Sequence, residues 1–195
     1  PALDRRAPAY RDDELDRPLA GALRRADHAL ARRVRADSIE LRREAFAERA
    51  IEIKQNLLGG DAPALATSLD NAGVLFFVRG DYERAGPLYE RARAILSNAA
   101  ATDPRYEAEL GRVHSHLGPL FQELGQYSTA REHYERSLEV FRETLGPAHT
   151  QVAMTANNLA TLLSKIGDYG EALSLYRESL ATLERALGPE HPLIA

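Results

Sequence analysis

The sequence predicts an all-α protein, a right-handed α-solenoid of stacked antiparallel helix pairs, and three observations predict it. A ten-residue phrase occurs three times: Gly80-Asp81-Tyr82-Glu83-Arg84-Ala85-Gly86-Pro87-Leu88-Tyr89, Gly125-Gln126-Tyr127-Ser128-Thr129-Ala130-Arg131-Glu132-His133-Tyr134, and Gly167-Asp168-Tyr169-Gly170-Glu171-Ala172-Leu173-Ser174-Leu175-Tyr176. Its glycines are 45 and 42 residues apart, with Tyr, Ala and a second Tyr at fixed offsets from each. A second phrase, Leu58-Gly59, Leu145-Gly146 and Leu187-Gly188, keeps the same register. Between the phrases apolar residues step by three and four, the period of one helix face. Such self-similarity marks arrays whose units stack because a single helix pair cannot bury its apolar face alone.

Composition narrows the function classes. Of 195 residues 44% are hydrophobic and 28% charged, the balance of a folded chain. A net charge of −4 argues against a nucleic-acid or anionic-membrane surface, which needs a basic excess. There is no cysteine, which removes disulfides, zinc–thiolate sites and cysteine nucleophiles together. No apolar run approaches the ~20 residues of a membrane span, and nothing at the start resembles a signal peptide, so a cytoplasmic location is expected. Because the first residue is Pro, the chain reads as an excised fragment. Only Lys54 and Lys165 are lysines, an arginine bias that points to a GC-rich, bacterial genome.

Taken in order, residues 1–12 show no periodicity and read as a flexible leader. Residues 13–61 read as a degenerate N-terminal helical pair. Leu15, Leu19, Ala22, Leu23, Ala26, Leu30 and Val34 form one stripe, and Ile39, Phe46, Ala50, Ile53 and Leu57 a second. Asp37 and Glu40 have the spacing of a capping box between two helices, and one long helix through Asp37 is the alternative. Three repeats follow, at 62–104, 105–150 and 151–192, with 193–195 the start of a further repeat or a truncated end. First helices are expected at 64–78, 105–124 and 151–166, and second helices at 81–99, 127–145 and 169–187. Gly80, Gly125 and Gly167 sit where a residue at positive φ ends a first helix. The loop Thr102-Asp103-Pro104 holds the three extra residues of the longer spacing. Ala85, Ala130 and Ala172 give the close approach that paired helix axes need, with a tyrosine four residues on filling the space beside each.

These residues resemble tetratricopeptide repeats, in particular the longer subtype found in kinesin light chains and their bacterial relatives. The resemblance rests on Ala156-Asn157-Asn158-Leu159-Ala160, Gly167-Asp168-Tyr169, Ala172, Leu175-Tyr176 and Leu187-Gly188-Pro189-Glu190-His191-Pro192. It extends over residues 39–195. Leu69-Asp70-Asn71-Ala72 keeps the pattern in the first repeat, while His114-Ser115-His116-Leu117 departs from it in the second. A similar period occurs in propellers and HEAT arrays, but propeller blades need short alternating strands, and the Gly-x-Tyr-x-x-Ala-x-x-x-Tyr phrase decides against HEAT.

No catalytic constellation emerges, and no catalytic residue, cofactor or metal is expected. His114 and His116, two apart on a helix, face roughly 200° from one another and cannot share a metal; one is expected packed and the other solvated. His149 and His191 recur in the inter-repeat turn, which implies a turn or packing role. Gly59-Gly60-Asp61 lacks the Lys-Ser/Thr of a phosphate loop. Glu132, Glu135, Glu139 and Glu143 form a solvated face with Arg131, Arg136 and Arg142.

The resemblance implies instead a partner-binding groove lined by the first helices. Carried over by position, it holds Asp70, Asn71, Val74 and Phe77 from the first repeat. The second repeat adds Arg112, Ser115, His116, Pro119 and Gln122, and the third Asn157, Asn158, Thr161, Ser164 and Lys165. Asn amides suit a groove that reads extended main chain. Pro119 is expected to kink its helix or free the Ser115 carbonyl. The function expected is a non-catalytic scaffold for a protein or peptide partner, with no nucleic acid and no membrane. The alternatives are a sensor arm of a larger signalling enzyme, an ATPase or caspase-like protease, and a homodimer through an uncapped C-terminal end.

Overall fold

The structure, a computed structural model, describes residues 41–188. The chain divides into two compact units, Pro1–Ala45 and Phe46–Ala195. Of the first, the described residues 41–45 are helical. The leader, the stripe from Leu15 to Val34, the Asp37–Glu40 spacing, His191 and residues 193–195 lie outside the described residues.

The second unit opens with α1 (46–58). It continues with α2 (Pro63–Val78), α3 (Tyr82–Ala100), a 3₁₀ turn at Pro104–Tyr106, α4 (Glu107–Glu123), α5 (Tyr127–Thr144), α6 (Thr150–Ile166) and α7 (Tyr169–Leu187). No strand occurs among the described residues. From α2 onward each helix packs on the next, giving an all-α solenoid of the pairs α2/α3, α4/α5 and α6/α7. The helix ends fall within two residues of those the apolar stripes predict.

Local chemistry sets those ends. Gly80, Gly125 and Gly167 take φ of +78°, +73° and +91°, left-handed backbone that halts each first helix. Immediately after, the Asp81 and Asp168 carboxylates accept from the amides of Arg84 and Glu171 and cap α3 and α7. Between α3 and α4, Asp103 accepts from the Arg105 amide and also holds the Arg105 guanidinium at 2.6 Å. The 3₁₀ turn there has no counterpart between α5 and α6.

The core runs along the helix pairs as two apolar clusters. One gathers Leu65, Leu69, Phe76, Tyr89, Leu96, Val113 and Leu117. The other gathers Tyr134, Leu138, Phe141, Val152, Leu159 and Leu163, and Phe121 packs against both. Ala85, Ala130 and Ala172 are all buried, as close helix approach requires. The tyrosines add a second seat. A Cβ built on Gly73 would lie 2.5 Å from the Tyr89 ring, and one on Gly118 would lie 2.6 Å from Tyr134. These first-helix glycines are therefore the sockets into which the tyrosine rings fit. In the third repeat the equivalent position is Ala160, and Tyr176 lies half-buried with its hydroxyl 3.1 Å from Thr161 Oγ1.

On the opposite side, second helices of neighbouring units are bridged by exposed ion pairs. Arg84 reaches Glu48 at 2.7 Å, Arg131 reaches Glu171 at 3.0 Å, and Arg142 reaches Glu178 at 2.7 Å. Within α5, Arg131–Glu135 and Arg136–Glu139 complete the solvated charged face that the sequence predicts.

Candidate functional site

The first helices α2, α4 and α6 neighbour one another in order, and their residues not used for packing form one polar strip. Asn71, Asn157 and Asn158 are exposed, and their side-chain amides make no hydrogen bond to the described residues. Such amides keep both donor and acceptor capacity available to an incoming segment. Thr161 is exposed too, but its hydroxyl donates back to the Asn157 carbonyl at 2.9 Å. Lys165 is exposed and sits 5.1 Å from the Tyr127 ring centroid, a cation held over an aromatic face.

Other predicted residues are spent inside the fold. Asp70 lies beneath the strip, not on it, at 1% exposure. His116 Nδ1 stands 2.7 Å from its Oδ1, and Arg112 Nε lies 3.4 Å from its Oδ2. A buried carboxylate is costly without such partners, and α4 supplies them across the α2/α4 contact. Oδ2 and the Arg112 Nε nevertheless make no hydrogen bond among the described residues. Asp70 also helps to push the Tyr89 phenol up, after burial itself. His116 is therefore not the solvated member of a packed-and-solvated pair. It is half-buried, and its ring lies 5.7 Å from Tyr89.

Val74 and Phe77 pack against the first apolar cluster, and Phe77 lies against Tyr82 at 5.5 Å. Ser115 Oγ donates to the Arg112 carbonyl of its own helix at 2.6 Å. Gln122 and Ser164 are half-buried. Pro119 sits inside α4, which stays helical from Glu107 to Glu123 and simply forgoes the bond from position 119 to the Ser115 carbonyl. The strip that remains accessible is thus carried by Asn71, Asn157, Asn158, Thr161 and Lys165, with the outer parts of Arg112 and His116 between them.

A crevice of about 280 Å³ opens beside Arg112. It is lined by Ala108, Glu109, Phe141, Leu145, His149 and Gln151. His149 itself caps α6, with Nδ1 accepting from the Gln151 amide at 3.2 Å, which is the turn role its recurrence implies. A smaller crevice of about 220 Å³ lies between Asn157, Asn158, Met154 and Leu183.

The contact that sequence reasoning missed is the one between His114 and His133. Their Nδ1 atoms stand 2.8 Å apart across α4 and α5, and Phe121 stacks on the His133 ring at 5.1 Å. Burial first, then the charges of His133, Arg93 and Arg136, push His114 down to about 4. The signal was present in the register. The equivalent positions are Leu69 and Leu88 in the first repeat and Ala156 and Leu175 in the third, all members of the apolar clusters.

Among the described residues no three His, Cys, Asp or Glu side chains are arranged to hold a metal, and no described helix is long and apolar enough to cross a membrane. Stacked helix pairs with a variable polar face define a class, the helical-repeat proteins. The family model described as Tetratricopeptide repeat matches residues 44–98 and 109–185. The chain belongs to the tetratricopeptide repeat family.

Its structural neighbours include kinesin light chain-like repeat proteins. BtubC (BKLC) from P. vanneervenii is 26% identical with a TM-score of 0.65, over 80% of this chain and 61% of that one. The chain thus spans less than two thirds of that relative. A putative kinesin light chain with TPR-like repeats from Podosopora anserina is 23% identical with a TM-score of 0.67, over 87% and 79%. Aspartyl phosphate phosphatase F from Bacillus subtilis is 15% identical with a TM-score of 0.62, over 73% and 35%. These last two likenesses are of fold. No curated protein sequence matches the chain.

Proposed function

We propose that the chain is a non-catalytic scaffold that holds an extended segment of a protein partner along the first helices α2, α4 and α6. One observation carries the reading. Positions that build the scaffold repeat from unit to unit, whereas the strip changes from Asn71 through Arg112 and His116 to Asn157 and Asn158, and those three asparagine amides are exposed and unused. An unused amide pair can accept from and donate to a peptide backbone with little demand on its side chains. Arg112 and His116, in the middle of the strip, then supply the sequence preference.

The test is site-specific photo-crosslinking. A photoreactive residue at Asn158 and another at Glu139, on the opposite charged face, are compared in the same cellular extract. Captured partners specific to position 158 and lost in an Asn71→Ala, Asn157→Ala background support the strip. Equal capture at both positions, or capture unaffected by the two alanines, would falsify it.

A further inference from the structure

His114 and His133 occupy a place that the other two repeats fill with apolar side chains. Leu69 and Leu88 in the first repeat, and Ala156 and Leu175 in the third, do the same packing without a polar atom. In the second repeat both positions have become histidine, and the rings meet at 2.8 Å between Nδ1 atoms. Local departures from a rule that the rest of the fold obeys gather at functional or switching positions. The pair also lies at a junction of elements. His114 is on α4, His133 is on α5, and Phe121, which stacks on His133, packs against both apolar clusters.

We propose that the His114–His133 pair makes the second repeat an acid-sensitive joint, closed while at least one ring is neutral and opened when both rings are protonated. The chemistry follows from the facing atoms. With both rings neutral, one Nδ1–H donates to the lone pair of the other Nδ1, so the two rings hold opposite tautomers. One added proton is tolerated, because an imidazolium on one side still donates to a neutral ring on the other. A second proton, taken from solvent, puts two N–H groups against each other and leaves two half-buried cations in contact.

The charged groups facing the pair set its balance. From α3 come Glu90 and Arg93, themselves paired at 2.8 Å. From α5 come Glu132 and Arg136. Arg93 opposes protonation of both rings and Arg136 that of His114, while Glu90 and Glu132 favour it at His133. Burial is the largest cause at both rings, and it disfavours charge. The first proton therefore belongs on the His133 side, and the second, on His114, is the one that opens the joint. No equivalent group exists at this register in the first or third repeat, so the response is confined to α4, α5 and their seat on α3.

The test uses the full chain with labelled imidazoles, followed by NMR from neutral pH down to about pH 4, with amide exchange measured on the same samples. The expected result is that His114 titrates far below an ordinary histidine and that protection in α4 and α5 falls with its titration while α6 and α7 keep theirs. The double variant His114→Leu, His133→Leu, which installs the pair of the first repeat, loses this pH dependence. The proposal is overturned if both rings titrate near 6.5, or if α4 and α5 in the double variant open with acid as the wild type does. Should the double variant not fold, the wild type decides alone: loss of protection in all helices together, or in none, overturns it equally.

Discussion

Gly118 shows how a single missing methyl group fixes a larger side chain. The Tyr134 ring, 2% exposed, covers the space where a Cβ at position 118 would stand, with ring carbons 2.6 Å away. Two effects oppose each other in Gly118→Ala. Helix propensity gains about 1 kcal/mol, whereas forcing a methyl group into a filled core costs about 1 to 3 kcal/mol. The third repeat has Ala160 at the same register, and its Tyr176 lies half-buried on the last described helix. Gly118→Ala is expected to lower stability by up to about 2 kcal/mol once the two effects are set against each other, with Tyr134 becoming accessible to a collisional quencher. A thermal midpoint and quenching identical to wild type would show that the ring has room to spare.

At the scale of the element, α5 and α7 carry the same small hydroxyl in two different situations. Ser179, buried on α7, donates to the Ala153 carbonyl of α6 at 2.7 Å. Ser137, fully buried at the same register of α5, has no partner for its hydroxyl among the described residues. The first repeat places Ala92 there. A buried hydroxyl without a partner costs about 1 to 3 kcal/mol, while a made hydrogen bond contributes about 1. Ser137→Ala should therefore raise stability and Ser179→Ala should lower it, each by about 1 kcal/mol in urea unfolding. Equal effects of the same sign would contradict the difference between the two helices. Element existence and ends were legible in the sequence because helical period and glycine turns are local signals. The socket role of Gly73 and Gly118 was not, because the tyrosine that fills each lies 16 residues further on, across a helix pair. The burial of Asp70 was hidden for the same reason: its partner His116 lies 46 residues away. Of the candidate strip, the asparagines were carried over by position from the family resemblance, and Asn71, Asn157 and Asn158 lie exposed. The histidine pair needed the repeats to be aligned and their apolar positions compared.

For the molecule as a whole, stability rests on two apolar clusters that share Phe121, and the surface ion pairs between second helices add little, since exposed pairs contribute about 0 to 1 kcal/mol. The half-buried histidines His114 and His133 contribute an acid response from neutral pH downward. His114 is held at about 4 in the folded chain against 6.5 when solvated, with burial the main cause, and His133 is shifted in the same direction. Between those two values the unfolded chain binds more protons than the folded one, so stability must fall as pH falls through this window. Above 6.5 the contribution is constant, and below about 4 the loss from His114 is complete. One pKa unit corresponds to about 1.4 kcal/mol, which sets the loss from His114 alone at about 3 kcal/mol across the window. Urea unfolding measured at several pH values should show the free energy level near neutrality and declining from about pH 6.5 toward about pH 4. In His114→Leu the part of that decline due to this ring disappears. Because repeat arrays unfold with limited cooperativity, the loss should show first in a probe on α4 or α5, such as Tyr134, and later in one on α7, such as Tyr176. A wild-type curve that stays level down to about pH 4, or one that His114→Leu leaves unchanged, would mean that the ring is solvated at little cost and that the acid response belongs to the carboxylates.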